Sequence, residues 1–213
     1  MVKVLYEDNH ILVVEKPRGI LSQGDGSNKE DMLTILKNYI KEKYNKPGNV
    51  YLGLVHRLDI NTSGVMVFAR TSKAASRLTE AIQNHQFEKR YYAVCEGTFT
   101  DKETKTLTHY IYKDEKEKKS YIKANGQKAI LEYTPIESYK IGDTPVTKVE
   151  IGLKTGRFHQ IRCQMSAIGH PLYGDKKYGS KASINSEEFP LIAYKLSFPH
   201  PITKEIMTFT LED

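Results

Sequence analysis

Only two cysteines, Cys95 and Cys163, occur in the 213 residues. They are too few for a disulfide framework and do not have zinc-ribbon spacing. No apolar run approaches the roughly 20 residues needed to cross a bilayer. The opening MVKVLYEDNH turns acidic and strand-like within a few residues, unlike a signal peptide. No glycine-rich phosphate loop is present, and the seven histidines include no H-x-x-x-H pair. Internal repeats, low-complexity segments and linkers are missing as well. These absences lead us to expect a cytoplasmic protein with no membrane span, no metal and no cofactor. The composition, 39% hydrophobic and 27% charged, is that of a soluble globular chain. Its length suffices for one good-sized core or two small ones. Lysine and arginine number 32 against 26 acidic residues, a net charge of +6. That excess suits a polyanion, whose phosphates take up cationic side chains and release counterions. Simple solubility accounts for it equally well.

Apolar runs at residues 2–6 and 11–14 predict a hairpin closed by Glu7-Asp8-Asn9-His10. From residue 29 to 44 the period changes. Met32, Leu33, Leu36, Tyr39, Ile40 and Tyr44 recur at three- and four-residue spacing, predicting an amphipathic helix capped by Ser27 or Asn28 and stopped by Pro47-Gly48. A second helix is expected to start at Thr71 or Ser72, with Ala75, Leu78 and Ile82 facing inward, and to end near His85. A third is expected to open at Gly156 and close at Gly169, before Pro171. Strands are predicted at 52–55, 65–69, 88–97, 106–112, 120–124, 129–139, 146–153, 191–198 and 206–211, with 113–119 a solvated hairpin loop. Many strands in consecutive hairpins with few helices between them give an α+β fold with a mostly antiparallel sheet. One domain over residues 1–213 is the simplest count.

The stretch YLGLVHRLDINTSGVMVFAR, residues 51–70, places a polar knot between two apolar runs. His56, Arg57, Asp59, Asn61, Thr62, Ser63 and Gly64 make up the knot. A loop between core strands can fix a polar group rigidly while leaving it reachable. The same residues would also serve as an ordinary turn, with Asp59 and Asn61 bonding their own backbone. Two further polar clusters interrupt apolar segments, KRYYA at 89–93 and LKTGRFHQIR at 153–162. A carboxylate, a tyrosine and an arginine from these clusters could serve one pocket. There the arginine would keep Asp59 ionised, as nucleophile, base or electrostatic stabiliser.

HRLDINTSGVMVFAR resembles the catalytic motif of the RluA-type RNA pseudouridine synthases. KRYYAV resembles that family's K-x-Y-x-A strand, LKTGRFHQIRCQMSAIGHPLYGDKKYG its third block, and YEDNHILVVEKPRGI its first strand pair. The blocks occur in the family's order and cover nearly the whole chain. The resemblance implies the pseudouridine synthase fold, a mixed, mostly antiparallel sheet flanked by a few helices and loops with a central cleft. It implies that Asp59 is the essential aspartate, Tyr91 the active-site tyrosine and Arg162 the arginine pairing with the aspartate. Ile161 would line the base pocket, and Arg57 would help displace the target nucleotide, or else bind phosphate. His56, Thr62, Arg157 and His159 fall in the same motifs as substrate-binding positions, with His159 and His170 also readable as orienting or structural. Phe158 stands where threonine is more usual, and Cys163-Gln164 where a Val-His pair is common.

The implied reaction isomerises uridine in structured RNA, ribosomal or transfer RNA, with no redox carrier, and the target is flipped from its stack. Lys16, Arg18, Lys89, Arg90, Lys176 and Lys177 flank the motif loops as candidate backbone contacts. The RNA-binding domain that many relatives carry in front is not expected here, and a monomer is the default. A non-catalytic RNA-binding module and a nucleoside or glycoside hydrolase are the alternatives. The hydrolase would want two carboxylates, and the HRLD and HQIR motifs offer only Asp59.

Overall fold

A computed structural model describes residues 2–185 and 188–212. In chain order the elements are β1 (Lys3–Glu7), β2 (Ile11–Lys16), α1 (Met32–Lys43), β3 (Gly53–Leu54), β4 (Ser63–Ala69), α2 (Ser72–Gln83), β5 (Glu88–Glu96), β6 (Lys105–Asp114), β7 (Lys119–Ile122), β8 (Gln127–Ile141), β9 (Thr144–Leu153), α3 (Gln160–Ala167), β10 (Leu191–Pro199) and β11 (Ile206–Thr210). This is the α+β class expected from the hairpin-rich sequence. No helix among the described residues is long and apolar enough to cross a membrane. Contacts divide the chain into two compact units, one running to Glu88 and resuming at Ala193, the other Lys89–Ile192.

In the first unit the strands run β1-β2-β4-β10, with β11 beside β10 and β3 beside β4. β2 and β4 pair antiparallel from Ile11↔Ala69 to Lys16↔Gly64. All seven residues of β4 are buried, which is why its sequence is continuously apolar rather than alternating. Ala74 and Leu78 of α2 pack with Ile11, Val13, Val65, Val67, Leu196 and Phe198 in one core cluster. Thr71 caps α2, its hydroxyl accepting from the Ala74 N–H at 3.1 Å, as expected. α1 begins later than its periodicity suggests. Leu21 bonds the backbone of Glu30 and of Met32, holding the chain extended there, so Asp31 is the cap and not Ser27 or Asn28. Its carboxylate accepts from the Thr34 N–H at 3.1 Å.

The strand expected over 52–55 shrinks to Gly53–Leu54, and just beyond it the His56 ring accepts the Val67 N–H. Gly64 shows why the Thr-Ser-Gly turn ends in glycine. Its φ is +137°, and a Cβ there would lie 2.6 Å from the Cβ and N of Ala193, and closer still to its carbonyl oxygen. Gly64→Ala is therefore expected to destabilise the protein by about 2–4 kcal/mol. The measurement is a lowered urea midpoint at constant slope; an unchanged midpoint would mean that β10 yields.

In the second unit the order is β5-β9-β8-β6-β7, each neighbour antiparallel. β5 alternates, with Tyr91, Ala93 and Cys95 buried. Pro135 stands mid-strand in β8 where the register shifts, a bulge that tolerates its missing N–H. Ile111, Ala129, Cys163 and Tyr178 form a core cluster. α3 does not open at Gly156. His159 adopts φ 50°, ψ 31°, a left-handed conformation that a right-handed helix cannot include.

Candidate functional site

The polar knot is pinned at every turn by the segment after β2. The Thr62 N–H bonds the Asp59 carbonyl at 3.0 Å, so Asp59 does open a turn. Ser22 accepts from the Leu58 N–H at 3.1 Å and donates to the Leu58 carbonyl at 2.7 Å. The Gly19 N–H bonds Ile60 O at 2.8 Å. Lys16 is completely buried, and its Nζ donates to Pro17 O at 3.0 Å, Ile60 O at 3.2 Å and Thr62 O at 2.8 Å. Burial lowers its pKa to about 8, with Asp59 opposing that shift and Arg18 adding to it. Asp59 is half-buried, Arg57 is exposed, and Thr62 is buried. The loop thus carries its carboxylate on a backbone bonded at Leu58, Asp59, Ile60 and Thr62, leaving little freedom to swing.

Lys16 corrects the sequence reading. A fully buried ammonium tied to three carbonyls cannot be an RNA backbone contact. The clue lay in its neighbours, since Lys16 ends a strand whose apolar residues are all buried. Ser22 was not singled out, and nothing in its loop composition marks it. His56 accepts the Val67 N–H through Nε2 at 3.1 Å, which makes it a neutral Nδ1–H tautomer orienting the start of the loop.

In the second unit, Tyr91 lies on β5 opposite Ile151 of β9 and is buried. Burial lowers the pKa of Lys89, two residues before it. Gln160 ties the third block together. Its Oε1 accepts from the Arg157 N–H at 2.9 Å and the Thr155 hydroxyl at 2.9 Å, while its Nε2 donates to Ile130 O at 3.1 Å. Arg157 Nε donates to Lys128 O at 2.9 Å. Ile161 and Arg162 follow in the first turn of α3, both buried. Arg162 is therefore no surface residue. Its Nε and Nη2 fork onto Asp175, at 2.6 Å to Oδ2 and 2.8 Å to Oδ1. Asp175 falls in the third block, where nothing in the sequence marks it as the partner of Arg162. His170 bonds Glu96 O through Nδ1 at 2.8 Å and stacks on Phe99, a structural part. Of the expected site residues, His56, Arg57, Asp59 and Thr62 belong to the first unit, and Tyr91, Arg157, His159, Ile161 and Arg162 to the second.

A half-buried aspartate on an immobilised loop can stabilise or trap an electron-poor carbon, and a buried tyrosine and isoleucine offer faces for a flat ring. The RNA pseudouridylate synthase family model matches residues 10–167, taking in the polar knot, Tyr91 and α3. The chain belongs to this family. A pseudouridine synthase of Aquifex aeolicus, described as uncharacterized, is 34% identical over 100% of this chain and 69% of its own length. The ribosomal large subunit pseudouridine synthase D of Yersinia pestis is 36% identical over 84% of this chain. This chain covers 53% of that relative's length. The solved structure of human RNA pseudouridylate synthase domain containing 1 superposes with a TM-score of 0.76 at 24% identity, covering 100% of this chain and 84% of that one. That likeness bears out the pseudouridine synthase fold. Among the described residues no group of three or more His, Cys, Asp or Glu is placed to hold a metal, and the synthase reaction moves a glycosidic bond without a redox step.

Proposed function

We propose that this chain isomerises specific uridines to pseudouridine in structured RNA, with Asp59 as the essential carboxylate. The observation that carries the reading is the HRLD-to-TSG loop, whose backbone is locked by Lys16, Gly19 and Ser22 around that aspartate. Large-subunit ribosomal RNA is favoured as substrate by the relatives named for it, with transfer RNA the other outcome. The protein acts as a cytoplasmic monomer, and residues 1–213 work as one catalytic domain.

In this reaction the N1–C1′ bond breaks, uracil turns, and a C5–C1′ bond forms while the C5 proton leaves and N1 regains one. Atoms balance with no cofactor. Breaking the first bond builds positive charge on the ribose, which the Asp59 carboxylate stabilises or captures. Tyr91 stacks on the detached base and takes the C5 proton, and Ile161 closes the pocket against water. The family resemblance gives Arg162 the task of keeping the Asp59 carboxylate ionised. Arg57, exposed on the same loop, meets the flipped nucleotide's backbone. His56, Thr62, Arg157 and His159 hold the protein groups that touch substrate.

The test compares modified uridines in RNA from cells with and without this protein, alongside purified protein acting on transcripts. One or a few lost sites, restored by the purified protein, is the expected result. An unchanged map together with RNA binding would make it a binding module instead, and free uracil as product would make it a hydrolase.

A further inference from the structure

The third sequence block supplies more than Arg162. Arg162 is only 7% exposed, and its guanidinium carbon lies over the rings of Tyr178 and Phe189, 4.9 and 5.4 Å from their centres. Beyond the fork onto Asp175, its Nη1 lies 3.0 Å from Nε2 of His159. An arginine can only donate, so Nε2 of His159 must be the acceptor. The ring proton is then on Nδ1, and it points at the Tyr178 hydroxyl, 2.9 Å away. That hydroxyl also accepts the backbone N–H of Ser120 at 2.8 Å. Each donor in the series Ser120 N–H, His159 Nδ1–H and Arg162 Nη1–H has one direction only.

His159 reaches Arg162 because its backbone is left-handed, φ 50°, a conformation that costs about 1 kcal/mol or more for a residue with a Cβ. Phe158 stacks on its ring at 3.8 Å. The fold therefore spends backbone strain to aim one imidazole at one guanidinium, which is the pattern of a functional support.

We propose that Asp175 and His159 are positioning residues that fix the Arg162 guanidinium for the reaction proposed above, with His159 held as the neutral Nδ1–H tautomer. The inference rests on that reading for its catalytic meaning, not for the tautomer. Because Asp175 balances the charge of Arg162, the arginine acts on a carboxylate through directed N–H bonds more than through net charge. Asp175 and His159 between them bond Nε, Nη1 and Nη2 of Arg162, so every nitrogen of the guanidinium is held in direction. Burial, with Arg162, Lys177 and Lys113 nearby, lowers the His159 pKa to about 3. Burial also pushes that of Tyr178 up to about 12. The network keeps its protons in place across the working range.

The experiment has two arms. In the first, nitrogen NMR of histidine-labelled protein follows the His159 ring from pH 5 to 8. Nδ1 is expected to stay protonated and Nε2 bare throughout, and a titrating ring or an Nε2–H tautomer would overturn the proposal. In the second, single-turnover pseudouridine formation at saturating RNA is compared with RNA affinity for Asp175→Asn and Tyr178→Phe. Asp175→Asn should slow turnover by roughly 100-fold, the cost of a misplaced group, with affinity within twofold. Tyr178→Phe removes only one hydroxyl and should slow it less while freeing the His159 tautomer. Wild-type turnover in both variants would refute the positioning role. If the unmodified protein forms no pseudouridine at all, the proposed function fails, and the NMR arm still decides the network.

Discussion

Asp59→Asn protein is expected to bind RNA as the parent does and to form pseudouridine at a rate lower by on the order of 10³-fold or more, about 4 kcal/mol of barrier. Asparagine keeps the size and the turn-forming ability of aspartate, so the loop should survive. The Thr62 N–H bonds the backbone carbonyl of residue 59, not its side chain. The substitution removes the negative charge and the nucleophilic oxygen. Release of tritium from C5-labelled uridine in a transcript measures the rate directly, since the C5 hydrogen must leave. A residual rate within tenfold of the parent would show that the carboxylate is not the group on which the chemistry turns. Loss of RNA binding with the same substitution would point to a role in recognition instead.

The second large effect concerns stability. Lys16→Met keeps the aliphatic stem and removes an ammonium that satisfies three carbonyls at once. Leaving those acceptors buried without a donor is expected to cost about 3–5 kcal/mol, read from urea unfolding, and to lower activity because the Asp59 loop loses its anchor. The pH dependence has a definite sign. The folded pKa of Lys16 is about 8, below the roughly 10.4 of an unfolded lysine. Below pH 8 both states hold the proton, and the burial penalty is fully present. Between about 8 and 10.4 the unfolded chain binds a proton that the folded chain lacks, so the parent gains stability relative to Lys16→Met as pH rises through that window. Activity moves the other way, because a neutral amine has two N–H groups for three carbonyls. Unfolding curves of both proteins at pH 7 and 9.5 check the first statement. A difference that shrinks with pH would contradict it.

Much of this was legible in the residues. The strands carried their pattern plainly, and β4 (Ser63–Ala69) and β9 (Thr144–Leu153) fall within two residues of expectation. α2 began where Thr71 said it would. The helix starts that were misplaced share one cause. At Asp31 a bridge to Leu21 holds the preceding residues extended, and at His159 a left-handed residue closes the TGR turn. Both are tertiary events, invisible to spacing. The motifs name the residues proposed to carry the chemistry, but they do not mark the groups that support them. Lys16 looked like a surface cation and Asp175 like a loop residue, because a sequence does not say which charge will be buried against which partner. Ser22, bonding both the N–H and the carbonyl of distant Leu58, had no signal at all.

The first unit is assembled from two separated stretches of chain, and β10, contributed by the later one, borders β4. On a ribosome, residues 89–192 would emerge as an uninterrupted segment able to collapse before the earlier stretch has its missing strand. Until residues 193–199 leave the exit tunnel, β4 has an unsatisfied edge, and Gly64 lacks the neighbour that it is shaped to admit. Nascent chains stalled short of that point should thus be the ones that attract chaperones.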